Sequence, residues 1–360
     1  MTLFENKIQI SYGKEFDVMH YNYIWLRENC RCSDCYNSTT YQRNIHPLDI
    51  LQDIRPVHHI VTQDTLHVTW NDNHVSTYNL DWLRLQTKNE KRPECILWSG
   101  DISDKVAFVP KQELKSQTGL TQLVRSLLEY GVGFVTQVSA SMEATEEVVR
   151  KIGPPLHTFY GPGMWEFADS LDHLDTAYTN VALGAHTDTT YFIQPAGLQI
   201  FHCIQHDGEG GDTLLVDGFR AAEDVRLADP SSFNSLKRIA TEFVCIDRGN
   251  HYSCCTPSLT FTSNGQLEMI RYNVYDRSSR IPGKQNEVDE FYKSLRQLGN
   301  AIKKKSGEFW FKLQPGTVVF INNWRVLHGR SAYTGRRKMT GCYFSMGNFL
   351  SKARLLKLIV

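Results

Sequence analysis

The sequence has 360 residues, with 39 Lys plus Arg against 39 Asp plus Glu, for a formal net charge of zero. That balance excludes the cation surplus by which a generic nucleic-acid binder displaces counterions, and it carries no polybasic membrane signal. Hydrophobic residues at 41% and charged residues at 22% exclude a disordered chain, and no apolar run reaches the ~18 residues of a membrane-spanning helix.

Residues Met1 to Phe16 place Glu5 and Glu15 among Lys7 and Lys14, unlike a secretory signal or an Arg-rich, acid-poor transit peptide. On that ground the expected compartment is the cytoplasm, or one reached after a presequence is lost. Nine irregularly spaced cysteines do not read as a secreted disulfide framework, so a reducing environment is expected.

Residues 1–96 read as a small N-terminal unit. Val61 to Trp70 and Val75 to Leu80 are predicted strands around the turn Asn71-Asp72-Asn73-His74. The run Cys30-Arg31-Cys32-Ser33-Asp34-Cys35 puts three thiols within one tight loop. Zinc takes four soft or borderline ligands in a tetrahedron, so a fourth ligand is expected from elsewhere. His74 is the candidate, with His58, His59 and His67 as rivals; a loop of free thiols is the plainer alternative. A closed four-ligand site would be structural, adding stability that so small a core lacks.

Past a linker over Gln86 to Pro93, residues 97–360 form the larger unit. Leu120, Leu123, Leu127 and Leu128 share one helical face over Leu120 to Tyr130, and Gly131-Val132-Gly133 ends that helix. Phe134-Val135-Thr136 begins a strand. Short β-prone runs then alternate with Gly-rich turns from Tyr178 to Asp217. Val288, Phe291, Leu295, Leu298 and Ile302 mark an amphipathic helix, followed by strands at Thr317 to Ile321 and Gly341 to Phe344. The pattern predicts a mainly β fold, two sheets with helices packed outside.

The segment Gly184-Ala185-His186-Thr187-Asp188 carries His and Asp two apart, a spacing that faces one side of a strand. His328, in Asn323-Trp324-Arg325-Val326-Leu327-His328, is the expected third partner. Two histidines and one carboxylate leave three positions open on a metal ion, the facial triad of non-haem Fe(II) oxygenases. Taken singly, His328 also fits a buried structural histidine, Asp188 a turn acid and Arg337 a solvated cation. Oxygenases of this class draw electrons from 2-oxoglutarate, whose far carboxylate calls for a bidentate partner. Arg337 lies nine residues beyond His328 and fits that role; Thr213 could add a hydroxyl.

Five segments carry a family resemblance: AYTNVALGAHTDTTYF (177–192), GLQIFHC (197–203), GGDTLLVDGF (210–219), IRYNVYDR (270–277) and FINNWRVLHGR (320–330). Together they resemble the carnitine-biosynthesis 2-oxoglutarate dioxygenases, and the likeness runs from WLRENC (25–30) to GCYF (341–344). The resemblance implies a double-stranded β-helix (jelly-roll) catalytic domain over 97–360 and an N-terminal zinc-binding domain over 1–96. It puts the iron ligands at His186, Asp188 and His328, and the zinc ligands at Cys30, Cys32, Cys35 and His74. The cosubstrate arginine is similar to Arg337, with Arg336 in play because the preceding loop is short.

The family's substrates, trimethyllysine and γ-butyrobetaine, both carry a trimethylammonium group, which ring faces hold in an aromatic cage. By resemblance the cage draws on Tyr160, Trp165, Tyr178 and Tyr343. Asp175 and Asp276 suit the α-ammonium of trimethyllysine and would repel the bare carboxylate end of γ-butyrobetaine; Asn273 or Arg277 could meet a carboxylate. The expectation is hydroxylation of trimethyllysine at C3, with O2 consumed and succinate and CO2 formed, as the first step of carnitine biosynthesis. γ-Butyrobetaine hydroxylation, the last step, is the alternative, and a non-catalytic methyl-lysine binding module is a third reading. L-ascorbate as reductant, a homodimer and a mitochondrial matrix location are implied by the resemblance alone.

Overall fold

The computed structural model describes residues 1–12, 17–87, 90–167, 179–247 and 249–360. The chain divides into two compact units, Met1–Glu90 and Lys91–Val360.

In the first unit, strands Lys7–Tyr12 and Asp17–Asn22 pair antiparallel and lead into the short helix Tyr23–Glu28. A second sheet runs Pro56–Val61, Thr65–Trp70, Val75–Asn79. The expected strand Val61 to Trp70 is therefore two strands. Thr62 breaks it: its backbone N–H donates to Thr65 O at 2.9 Å and the two threonine hydroxyls lie 2.7 Å apart. This local side-chain bonding competes with the ladder, as Thr can in a turn. Along Thr65–Trp70, Leu66, Val68 and Trp70 alternate inward and pack with Ile8, Tyr78 and Leu83. The next turn holds Asn73 at φ 64°, a left-handed position that Asn tolerates, and it presents His74.

The second unit is built on two sheets. Among the described residues, one sheet has the order Met164–Phe167, Arg337–Phe344, Leu198–His206, Val318–Asn322, Val132–Thr136, Ala107–Pro110. The other runs Leu183–His186, Val326–Arg330, Thr213–Asp217, Glu308–Phe311. Phe134, Val319, Ile321 and Met339 from the first sheet pack in one apolar cluster with Leu215 and Val326 from the second. Helices cover the outer faces, so the fold is mainly β with helices outside. Leu123, Val124 and Leu127 of the helix Gln117–Glu129 pack with Phe320 and Phe344. Helices Gly218–Ala228, Pro230–Arg238 and Val288–Ile302 pack over the second sheet.

The helix expected from Leu120 begins at Gln117, because Ser116 Oγ accepts the Gly119 N–H at 3.1 Å and caps it. Gly131, at φ 78°, supplies the left-handed turn into the strand Val132–Thr136.

A buried ion pair anchors the strand that carries His328. Arg325, one residue before it, donates to both carboxylate oxygens of Asp217, at 3.0 and 2.8 Å, with the side chains 2% and 0% exposed. Asp217 also caps the helix Gly218–Ala228 and accepts the Trp98 N–H. Asp217→Ala would strand a buried guanidinium, so chemical denaturation is expected to show a loss of about 3–5 kcal/mol.

Candidate active site

Within the Met1–Glu90 unit, Cys30, Cys32, Cys35 and His74 converge. Their Sγ atoms lie 3.3, 3.6 and 3.5 Å from His74 Nε2. A tetrahedral zinc with Zn–S near 2.3 Å and Zn–N near 2.0–2.1 Å requires S···N edges of about 3.6 Å. The donor set therefore fits zinc in both chemistry and spacing. Asp72 accepts the His74 backbone N–H at 3.0 Å and the Arg27 Nε–H at 2.8 Å, while Arg27 Nη1 donates to Cys35 Sγ at 3.4 Å. Such outer partners orient ligands. Burial, together with the adjacent Cys30, pushes the Cys35 thiol up to about 12 despite Arg27, so holding it as the thiolate that zinc binds takes a cation. Burial and the Arg27 charge lower His74, keeping its imidazole neutral. Of the rivals, His67 is engaged with the hydroxyls of Thr65 and Thr77, and neither it, His58 nor His59 belongs to the cluster.

In the Lys91–Val360 unit, strands Leu183–His186 and Val326–Arg330 pair so that His186 stands directly opposite His328. Their ring centroids are 4.5 Å apart. An irregularity in register between Leu183 and His186 re-aims the strand end, as bulges do beside functional sites. Asp188 completes the group: its Oδ1 is 3.3 Å from His186 Nε2 and its Oδ2 is 3.6 Å from His328 Nε2. The expected strand geometry for the His–Asp spacing does not hold, since the strand stops at His186. Thr187 instead bonds to Tyr272, and Asn323 clamps Asp188 from both sides. Its Oδ1 accepts the Asp188 N–H at 2.8 Å and its Nδ2 donates to Asp188 O at 3.0 Å.

His186 Nδ1 lies 2.8 Å from Gly184 O, where only a donor fits, and its Nε2 faces Asp188; burial lowers this imidazole, but the Asp188 carboxylate outweighs it and raises His186 above its usual range. Withdrawal from water pushes Asp188 up, but His328, His186 and the Tyr343 hydroxyl outweigh it and bring Asp188 down to about 2. Burial lowers His328 to about 4. An ionised carboxylate beside a neutral imidazole is the state a divalent metal needs from its ligands.

These three residues face a cavity of about 320 Å³ that also takes in Thr213, Asn273, Asp276 and Arg337. Arg337 is buried and Arg336 exposed, so only the former reaches this space. Thr213 pairs with Arg330 beside His328's strand. Asp276 accepts from Asn273 Nδ2 at 2.8 Å and Thr190 Oγ1 at 3.3 Å. Arg277 does not line the cavity; its guanidinium sits 5.2 Å from the Tyr292 ring centroid.

Rings line the same cavity. Tyr343 lies 6.0 Å from Tyr160 and 6.1 Å from Trp165, centroid to centroid. Trp165 reaches this place because Gly341 is directly across the ladder. A Cβ there would come within 2.4 Å of the indole. Tyr178 and Asp175 fall outside the described residues. Sequence reasoning missed Tyr191, whose hydroxyl is 3.1 Å from that of Tyr160, and Asn323. Tyr191 follows Asp188 by three residues, a proximity that could have drawn attention to it.

Residues 100–343 match the taurine catabolism dioxygenase TauD, TfdA family, and residues 5–84 match the γ-butyrobetaine hydroxylase-like N-terminal family. The chain is 39% identical to the mitochondrial trimethyllysine dioxygenases of Bos taurus and Homo sapiens, covering 98% of this chain and 86% of theirs. It is 27% identical to the γ-butyrobetaine dioxygenase of Homo sapiens, over 94% of this chain and 91% of that one. A taurine dioxygenase structure from Burkholderia xenovorans superposes with a TM-score of 0.52 at 16% identity, covering 71% of this chain and 91% of that chain. The chain belongs to the TauD, TfdA dioxygenase family, as a homologue of its trimethyllysine dioxygenases.

Proposed function

We propose that this chain is a 2-oxoglutarate-dependent Fe(II) dioxygenase that hydroxylates Nε,Nε,Nε-trimethyl-L-lysine at C3, releasing succinate and CO2, the first step of carnitine biosynthesis. One juxtaposition carries the reading: the His186, Asp188 and His328 donors share a cavity with the rings of Tyr160, Trp165 and Tyr343. The names and near full-length identity of the trimethyllysine dioxygenase relatives support it.

In this reading His186, Asp188 and His328 hold Fe(II), which supplies oxygen activation at the expense of 2-oxoglutarate. Arg337 takes the far carboxylate of the cosubstrate, with the Thr213 hydroxyl beside it. Tyr160, Trp165 and Tyr343, and by resemblance Tyr178, face the quaternary cation, which makes no hydrogen bond and is held by ring faces. Asp276, and by resemblance Asp175, receives the α-ammonium. Fixing both ends of the substrate decides which carbon faces the metal. The two sheets correspond to a double-stranded β-helix. Cys30, Cys32, Cys35 and His74 hold a structural zinc in the N-terminal domain. L-ascorbate as reductant and a mitochondrial location follow the relatives; no helix among the described residues is long and apolar enough to cross a membrane.

Arg337→Ala is expected to raise the KM for 2-oxoglutarate about 10- to 100-fold, the loss of a charged hydrogen-bond pair, with trimethyllysine KM little changed. Steady-state kinetics with each substrate varied in turn checks this. The function itself is tested by supplying Fe(II), 2-oxoglutarate and either trimethyllysine or γ-butyrobetaine, and reading the hydroxylated product by mass. A higher kcat/KM for trimethyllysine supports the reading. Preference for γ-butyrobetaine, which lacks the α-ammonium that Asp276 suits, overturns it.

A further inference from the structure

Tyr343 stands on the strand Arg337–Phe344, in the sheet that carries none of the three donors. Its ring belongs to the aromatic wall, yet its hydroxyl donates to Asp188 Oδ2 at 3.0 Å. We propose that Tyr343 is a positioning residue for the metal as well as a wall of the cation pocket: its hydroxyl fixes the Asp188 carboxylate as a ligand. The ring's part rests on the function proposed above. The hydroxyl's part needs only a divalent ion at His186, Asp188 and His328.

The need for such a contact is visible locally. Asp188 lies beyond the end of its strand, so no ladder neighbour restrains it. Asn323 holds its backbone N–H and C=O, which leaves the side-chain torsions free. Two imidazole nitrogens stand 3.3 and 3.6 Å from its carboxylate oxygens. A neutral donor on Oδ2 restricts rotation of the carboxylate and keeps Oδ1 turned toward His186. Outer partners of this kind commonly contribute 10- to 100-fold to metal affinity.

One side chain thus carries two separable contributions, and substitution divides them. Tyr343→Phe keeps the ring and removes the donor. Tyr343→Gln keeps a donor and removes the ring, and Tyr343→Leu removes both. Metal affinity is read by titrating Mn(II), an oxygen-stable stand-in for Fe(II), into the iron-free, zinc-loaded protein. Tyr343→Phe is expected to weaken Mn(II) binding about 10- to 100-fold, and Tyr343→Gln, which keeps a donor, to weaken it less than Tyr343→Leu. Mn(II) affinity within threefold of the parent in Tyr343→Phe overturns the proposal, and a larger loss supports it. Should Tyr343→Phe fail to fold, as shown by loss of its cooperative melt, the difference between Tyr343→Gln and Tyr343→Leu carries the test. Tighter Mn(II) binding by Tyr343→Gln supports the hydroxyl's role, and equal binding overturns it. If the parent does not turn over trimethyllysine, the function fails while the metal titration still decides the hydroxyl's role.

Discussion

His186→Ala is expected to abolish the hydroxylated product while the Met1–Glu90 unit keeps its fold and its zinc. Removing an imidazole takes one of three protein ligands from the ion and leaves Asp188 facing His328 alone. The loss must exceed that of an outer partner, so kcat/KM is expected to fall by more than about 1,000-fold. The cavity loses no apolar packing of consequence, and the opposing strand keeps its ladder. Product mass and zinc content, measured on one sample, check both halves. Residual turnover within tenfold of the parent would contradict the assignment of His186.

Cys35→Ser is expected to have the second large effect, on stability. The Met1–Glu90 unit has a modest core centred on Ile8, Leu66, Trp70 and Tyr78. Units of this size bury too little surface to be robust unaided, and structural zinc in small domains contributes on the order of 10 kcal/mol of apparent binding free energy. The substitution removes one ligand and also the acceptor of the Arg27 Nη1–H, so both the tetrahedron and its oriented surroundings are lost. Zinc content should drop below one equivalent, and the unit should lose its cooperative thermal transition. Chelation of zinc from the parent protein should give the same melt. A transition unchanged by either treatment would show that the four residues are not a folding site.

Much of the site is legible in the sequence because its chemistry is local. Three thiols in one loop point to ligands by spacing, while the His–Asp pair two apart is a weak signal alone and gains weight only with His328 and Arg337; the structure brings each set together with its distant histidine, His74 or His328. The choice between Arg336 and Arg337 was not legible: both are basic, and only the structure shows that Arg337 enters the strand Arg337–Phe344, opposite His206, and is buried while Arg336 before it is exposed. Asn323 could not be found from spacing, since its partner Asp188 lies 135 residues away and its amide reads as an ordinary loop residue. The break at Thr62 was missed because the β-prone run continues through it, while the turn depends on a hydroxyl pair that composition does not show. Asp188 left its strand for a similar reason: the contacts that pull it away come from Tyr272 and Asn323.

The central claim is that one cavity holds both a three-residue metal centre and a wall for a quaternary cation. The most direct measurement is a crystal structure of the protein grown without oxygen, with Mn(II), 2-oxoglutarate and trimethyllysine. The expected map shows the metal bound by His186, Asp188 and His328, the cosubstrate's far carboxylate on Arg337, and the trimethylammonium against Tyr160, Trp165 and Tyr343. A metal bound elsewhere, or a substrate cation seated away from those rings, would contradict the account.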